Sequence, residues 1–434
     1  MSVTEGSQNR AGSGGEPRQN EARMSELALP ERLDPIIEAV TAVGGPYGGV
    51  YLVGGTVRDI LLEEPSFDVD IAVEGDAIAF ARSLAEALDG RVRTHDKFGT
   101  AVVLYGDDER VDVVTARTES YESPGALPTV APGSIEDDLF RRDFTINAMA
   151  ASLRGEDKGR LVDPFAGHAD LDAGRIRVLH DRSFLDDPTR IFRAIRYENR
   201  YGFRMDEHTA ALAHDTVARG HVHDLSGARM REELIALFEE GDVDHSIPRL
   251  AELGVEQAIH HHAAADAEAA RLTQRLRELN ERYSLGIPSW RLGLTALGRK
   301  LPPDEIHAWL DGLKVRRRDA SQIAGAIAGA PRIAHELEQD GLSPAEVVAI
   351  AEPHAPDAPL FALALTDLPR LHDYFERLAG IRLAITGADV AALGLGESPR
   401  VGEILAELRR RKLDGELDGR ESELAAAREL VERT

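Results

Sequence analysis

The 434-residue sequence contains no cysteine, which removes disulfide frameworks, thiol nucleophiles and cysteine-built zinc sites from consideration. Aromatic residues make up only 5% of the chain. No apolar run approaches the roughly eighteen residues that cross a bilayer, so no membrane-spanning helix is expected. Positive charge is scarce as well: 51 Lys and Arg stand against 76 Asp and Glu, a net charge of −25. Such a chain repels nucleic acid as a whole, so any contact with one must use a local basic patch. What is present is the composition of a soluble globular protein, 43% hydrophobic and 29% charged, long enough for two to four domains.

Residues 1–30 are rich in Gly, Ser, Gln, Glu, Asn and Arg, with almost nothing apolar before Leu27, and predict a disordered leader. The leader lacks the apolar core of a secretory signal, which points to a cytoplasmic protein. From Tyr47 the texture changes. Residues 50–53 predict a strand, Gly54 and Gly55 a turn, and 56–62 a helix. A strand with period-two alternation follows at 67–73, then an amphipathic helix at 77–88 and strands at 101–105 and 111–114. Beyond Pro164 strand signals fade and helical spacing dominates from Asp187 to about Ala427, with Pro302-Pro303, Ala330-Pro331 and Glu352-Pro353 as loops. The expected organisation is an α/β head over 31–163, a helical neck over 164–240, a helical body over 241–380 and a helical tail over 381–434.

Asp68 and Asp70 stand two apart on a predicted strand, so both carboxylates project from one face. Paired oxygen anions suit a hard cation such as Mg²⁺, and Asp112 on another strand could supply a third. An isolated D-x-D is also what an acidic edge strand shows. Gly54 and Gly55, between strand and helix, form a tight turn whose backbone N–H groups can approach a phosphate. Arg58, one turn further, can add a charge-assisted contact. No G-x-x-x-x-G-K-S/T and no G-x-G-x-x-G after a strand occurs, which argues against a P-loop or a dinucleotide site. Asp187-Pro188 reads as a helix start, and Arg193, Arg196 and Arg200 form a cationic stripe beyond it. His260, His261 and His262 read as helix-end surface, since no second ligand cluster has metal-like spacing. Residues 314–318 and 409–412 are the dense basic clusters of the C-terminal half, either solvated faces or contacts to an RNA backbone.

Read together, Gly54-Gly55-Thr56-Val57-Arg58-Asp59 followed by Asp68-Val69-Asp70 resembles the DNA polymerase β-like nucleotidyltransferases. More narrowly, it is similar to class II tRNA nucleotidyltransferases and bacterial poly(A) polymerases. The resemblance continues through residues 95–100 (HDKFGT), 141–150 (RRDFTINAMA), 186–197 (DDPTRIFRAIRY), 226–229 (SGAR), and the tail segments 385–389 (ITGAD) and 413–415 (LDG).

It implies an α/β head with a mixed sheet followed by an all-α neck, body and tRNA-binding tail. It further implies that Asp68 and Asp70 are catalytic and hold two Mg²⁺ ions, and that Gly55, Arg58 and Arg142 bind the nucleotide's phosphates and sugar. Asp187 and Arg190 would read the Watson–Crick edge of the base, with Arg193 and Arg196 helping to hold the incoming nucleotide. For Arg142 a salt bridge with Asp143 is the competing reading. The implied activity is template-independent addition of CCA to the 3′ end of tRNA from CTP and ATP. The alternatives are CC-only, A-only or poly(A) addition, and a non-catalytic RNA-binding protein. Residues 118–136 are expected to be a mobile loop that influences this choice. One departure stands out: Asp186 occupies a position where the family often has Glu.

Overall fold

The computed structural model describes residues 26–65, 68–95, 99–107, 109–120, 122, 125, 128–396 and 398–433. The expected leader therefore lies mostly outside the described residues, as do Asp96, Lys97 and Phe98 of the 95–100 block. The chain divides into two compact units, Met1–Thr118 with Ala131–His168, and Glu119–Val130 with Ala169–Thr434.

The first unit is built on a seven-stranded mixed sheet. Its elements run α1 (Asp34–Val43), β1 (Val50–Val53), α2 (Gly55–Leu61), β2 (Val69–Val73), α3 (Ala77–Ala87), β3 (Arg91–His95), β4 (Thr100–Tyr105) and β5 (Glu109–Thr115). After β6 (Arg117–Ser120) and β7 (Thr129–Pro132) come α4 (Ile135–Phe140), β8 (Ala150–Ser152) and β9 (Leu161–Val162). The sheet order is β3-β4-β5-β2-β1-β8-β9. Only the β2–β5 pair in it is parallel. Ile71, Ala72 and Val73 are completely buried, so the apolar end of β2 is covered on both faces. Helix α3 packs on β3, β4 and β5, and Asp76 caps it by accepting from the Ile78 and Ala79 amides, both at 3.0 Å.

Two expectations need adjusting here. Leu27, placed in the leader, is buried, and its N–H donates to Gly159 O at 2.7 Å. The segment 118–136 is not one loop: it contains β7 and the start of α4, which opens with a capping box between Ser134 and Asp137.

The second unit is nearly all helix, as expected. It contains α6 (Ser183–Asp186), α7 (Thr189–Tyr201), α8 (Glu207–Ala218), α9 (Gly227–Phe238), α10 (Ser246–Glu252), α11 (Glu256–Ile259) and α12 (Ala267–Arg282). It continues with α13 (Ser289–Leu297), α14 (Pro303–Gly312), α15 (Arg317–Leu337), α16 (Pro344–Ala351), α17 (Asp357–Thr366), α18 (Pro369–Glu376), α19 (Gly387–Val390), α20 (Pro399–Leu413) and α21 (Gly419–Glu432). Helix α5 (Gly167–Asp172) contains the boundary between the units. One small strand pair, β10 (Arg175–Ile176) with β11 (Arg204–Met205), lies where no strand was expected, because two residues carry no readable alternation.

Leu276, Leu292, Ile333, Leu337, Leu360 and Phe361 belong to one core, and Ile385, just before α19, joins Val390, Ile404, Leu408 and Ala427 of the last three helices in another. Helix α15 runs through Pro331, where a loop was expected. The buried residues Ala330, Ile333 and Leu337 beside it, packed in the core with α17, offset the lost backbone donor. No helix among the described residues is long and apolar enough to cross a membrane.

Candidate active site

Strand β1 is followed by Gly54, at φ +64° and ψ −125°, a backbone shape that disfavours any side chain. A Cβ at Gly54 would lie 2.2 Å from Arg142 Nη1, so turn and arginine occupy adjoining space. Two residues on, the buried Thr56 hydroxyl donates to Asp68 O at 2.8 Å and accepts from Asp70 N at 2.9 Å. One side chain of α2 thereby fixes the start of β2, and with it both aspartates. Sequence reasoning passed over Thr56, because a threonine after Gly-Gly gives no sign of a partner twelve residues away.

Asp70 stands beside Asp112 in the β2–β5 register. Burial first, then the Asp112 charge, push the Asp70 carboxyl up to about 6; Arg142 pulls the other way and Asp68 adds a smaller push. Asp112 is itself paired with Arg110 at 2.8 Å. The three carboxylates do not close into a compact three-ligand group among the described residues. An all-oxygen donor set whose charges oppose one another is short of one positive partner, which fits a hard divalent ion.

A pH dependence follows. The folded-state pKa of Asp70 lies above its ordinary 3.8. The group therefore favours the fold in acid, and that contribution is lost as pH rises through about 6. A divalent ion should accordingly raise the melting temperature more at about pH 7.5 than at about pH 5. Equal shifts at both would separate Asp70 from the ion.

Arg58 is buried; its Nε donates to Asp59 Oδ1 at 2.8 Å and its Nη1 to Asn147 Oδ1 at 2.5 Å. Asn147 Nδ2 donates in turn to Asp143 Oδ1 at 2.9 Å, which also accepts from Phe144 N at 2.8 Å. Among the described residues the ion pair of Arg142 is with Asp138, not with Asp143. Arg142 Nη2 reaches Asp138 Oδ2 at 2.8 Å, and Arg141 Nη2 reaches Asp138 Oδ1 at 2.6 Å. Asp138 is completely buried. Burial alone would push its carboxyl up, but Arg142 and Arg141 together bring it below the usual range. Asp138 was missed in the sequence, although its spacing of three and four to Arg141 and Arg142 was the signal to read.

In the second unit, Asp187 stands between α6 and α7. Its Oδ1 accepts from Thr189 N at 3.0 Å, Thr189 Oγ1 at 2.7 Å and Arg229 Nη2 at 2.7 Å. Its Oδ2 has no hydrogen-bond partner among the described residues. One oxygen thus does the capping while the other stays open. Arg190 is buried, and its Nη1 donates to Ser183 Oγ at 2.6 Å. Arg193 donates to Tyr197 Oη at 2.8 Å and lies over that ring. Arg196 and Arg200 converge on Glu240 at 3.2 and 2.6 Å. Asp186 pairs with Arg182 at 3.3 Å. Arg229 also donates to Gly125 O at 2.9 Å, tying the Glu119–Val130 segment to Asp187.

The two basic clusters differ. Lys314, Arg316, Arg317 and Arg318 are exposed and have no ion-pair partner among the described residues. With Arg231 and Trp290, Lys314 and Arg316 line a cavity of about 330 Å³. In the other cluster every cation is taken. Arg409 grips Glu352 at 2.6 and 2.7 Å, Arg410 pairs with Glu407 and Asp414, and Arg411 with Glu416. Lys412 reaches the fully buried Glu423 at 2.5 Å. Each cation of residues 409–412 thus has a carboxylate partner already in place, and together these pairs brace the C-terminal helices.

A family model described as the poly(A) polymerase head domain matches residues 50–177. An A-adding tRNA nucleotidyltransferase of Geobacter sulfurreducens is 34% identical over 397 residues, covering 88% of this chain and 45% of that protein. The chain thus spans less than half the length of that relative. An A-adding tRNA nucleotidyltransferase of Halalkalibacterium halodurans is 34% identical and covers 88% of both chains. A solved structure of a CCA-adding enzyme in an apo form matches with a TM-score of 0.81 at 30% identity, covering 94% of this chain and 97% of that one.

Proposed function

Because the chain belongs to the tRNA nucleotidyltransferase/poly(A) polymerase family, we propose that it extends the 3′ end of tRNA without a nucleic-acid template, adding the terminal A from ATP. The wider reading, addition of C, C and A from CTP and ATP, is favoured by the likeness to a solved CCA-adding enzyme. The narrower one is favoured by the A-adding relatives at 34% identity. The observation that carries both is the Asp68–Asp70 pair held by Thr56 beside a glycine turn.

Asp68 and Asp70 would hold Mg²⁺. When bound, the ions lower the pKa of the RNA 3′-hydroxyl and neutralise charge on the triphosphate and the departing pyrophosphate. The 3′-oxygen attacks the α-phosphorus in line, the bond to the bridging oxygen breaks, and pyrophosphate leaves. Positioning and electrostatics supply most of the catalysis. Gly54 and Gly55 leave the turn free of side chains, so a phosphate can approach its backbone. Arg142, over that turn, meets the nucleotide's phosphates or sugar. Arg58 holds α2 against Asn147 and reaches a phosphate only on releasing it. The open oxygen of Asp187 and the guanidinium of Arg190 offer an acceptor and a donor to a base edge, with Arg193 and Arg196 adding positive charge on the same helix. Lys314, Arg316, Arg317 and Arg318 are the cations available for tRNA phosphates.

The decisive experiment supplies labelled ATP or CTP with Mg²⁺ to tRNA transcripts ending at the discriminator base, after CC, or after CCA. A alone, added only after CC, establishes the narrower activity; C, C and A followed by a stop establish the wider one. CC alone, or long A tails, would replace both with another member of the family. No incorporation anywhere would overturn the reading in favour of a binding protein.

Two variants test the assigned parts. Arg190→Ala should lower the preference for ATP over GTP by at least about tenfold, since a polar partner to the base edge is lost. An unchanged preference would leave Arg190 a structural role beside Ser183. Changing Lys314, Arg316, Arg317 and Arg318 together to alanine should flatten the slope of log affinity for tRNA against log salt by about three to four. The slope should hold in a variant of residues 409–412, whose melting temperature falls instead.

A further inference from the structure

Three histidines in a row ordinarily point different ways, and nothing in the spacing around His260, His261 and His262 marks a fourth ligand. The fold supplies one. Leaving α11, His260 is extended at φ −171° and ψ 141°, and the turn after it folds the next two rings back. Ring centroids stand 4.5 Å apart for His260–His261 and 4.0 Å apart for His261–His262. Glu305 on α14 meets all three. His262 Nδ1, His260 Nε2 and His261 Nε2 lie 2.8, 3.5 and 3.7 Å from the same oxygen, Glu305 Oε2. One ligand atom from each of the four residues lies within 4.8 Å of all the others, the only group of three or more such ligands among the described residues.

We propose that His260, His261, His262 and Glu305 form a second metal site, for a borderline transition-metal ion such as Zn²⁺. Three imidazoles and one carboxylate select such ions over Mg²⁺, which prefers oxygen. Bonds of about 2.0–2.1 Å in a tetrahedral site separate ligand atoms by roughly 3.3 Å. Small side-chain rotations would reach that spacing, and His261 and His262, 63% and 41% exposed, have room to make them. Only His262 is close enough to hydrogen-bond the carboxylate in the structure as it stands, so that one bond does not account for the convergence of the other two rings. Loading costs two local hydrogen bonds, the first being that of His262 Nδ1 with Glu305, whose atoms both become ligands. In the second, the His262 amide donates to His260 Nδ1 at 3.2 Å, a bond a ring coordinating through Nε2 gives up because Nδ1 then carries the proton. His260 also stands edge-on to Trp309 of α14, with centroids 6.4 Å apart. A bound ion would thus tie the α11–α12 connection to α14 and report to an indole.

The test uses the full chain without a histidine tag, in excess Mg²⁺ so that the carboxylates are occupied. Zn²⁺ is titrated by calorimetry, Co²⁺ is followed by its visible absorption, and Ni²⁺ by quenching of Trp309 fluorescence. One saturable site is expected, weakened at least about tenfold in the His261→Ala/His262→Ala double variant and also weakened in Glu305→Gln. No saturable binding in excess Mg²⁺, or equal affinity in the double variant, would overturn the proposal. The readout is binding alone, so its failure leaves the proposed nucleotidyl transfer untouched.

Discussion

Asp70→Asn protein should lose at least about three orders of magnitude in nucleotide incorporation and still bind tRNA as the parent does. Metal assistance to a phosphoryl centre is worth several kcal/mol, and each decade of rate is about 1.4 kcal/mol. The substitution keeps the side chain's shape and the backbone N–H to Thr56, and removes only the charge. The carboxamide that replaces the Asp70 carboxyl does not ionise near pH 6, so the pH dependence of metal-induced stabilisation should vanish with the activity. Residual incorporation near the parent's rate would remove Asp70 from the metal site; loss of tRNA affinity in step with activity would mean the head has unfolded.

The largest stability effect is expected at Asp138. Replacing it with alanine removes the one fully buried carboxylate that Arg141 and Arg142 now share. Removing one partner of a buried pair costs about 3–5 kcal/mol. Here about 2–3 kcal/mol is expected, because both arginines keep some contact with solvent. The sign with pH is fixed by the depressed pKa. Stability from Asp138 is present above the ordinary value of 3.8 and disappears as pH falls through the lower folded-state value. Urea unfolding of parent and Asp138→Ala should therefore differ at neutral pH and converge in strong acid. An equal gap at both would mean that packing, not charge, makes the contribution.

The parts of this molecule readable in its sequence are those encoded over short distances. Period-two alternation in β2, the Gly-Gly turn and the two-residue spacing of Asp68 and Asp70 all lie within one turn or one strand, and each marks the element it forms. What escaped was set by partners far along the chain. Asp112 could be named as a third carboxylate, but nothing near it fixes the register that sets it beside Asp70, and Thr56 acts through a strand twelve residues away. Arg409–Lys412 show the same limit. Glu407, Asp414 and Glu416 stand within about two helical turns, but Glu352 arrives from another helix end and Glu423 from α21. Local charge density reveals cations and not whether they are already matched. Glu305 is the converse case, a single carboxylate that gives the histidine run its meaning only once α14 is placed.

Gly54 and Arg142 also constrain how this site can change over time. A side chain at Gly54 would begin 2.2 Å from the guanidinium, on a backbone that already resists one. The two positions are therefore unequal: a replacement at Gly54 must overcome both the backbone and the guanidinium, whereas a change at Arg142 meets no obstacle from the glycine. Descendants of this chain should therefore show altered arginines beside intact glycines far more often than the reverse.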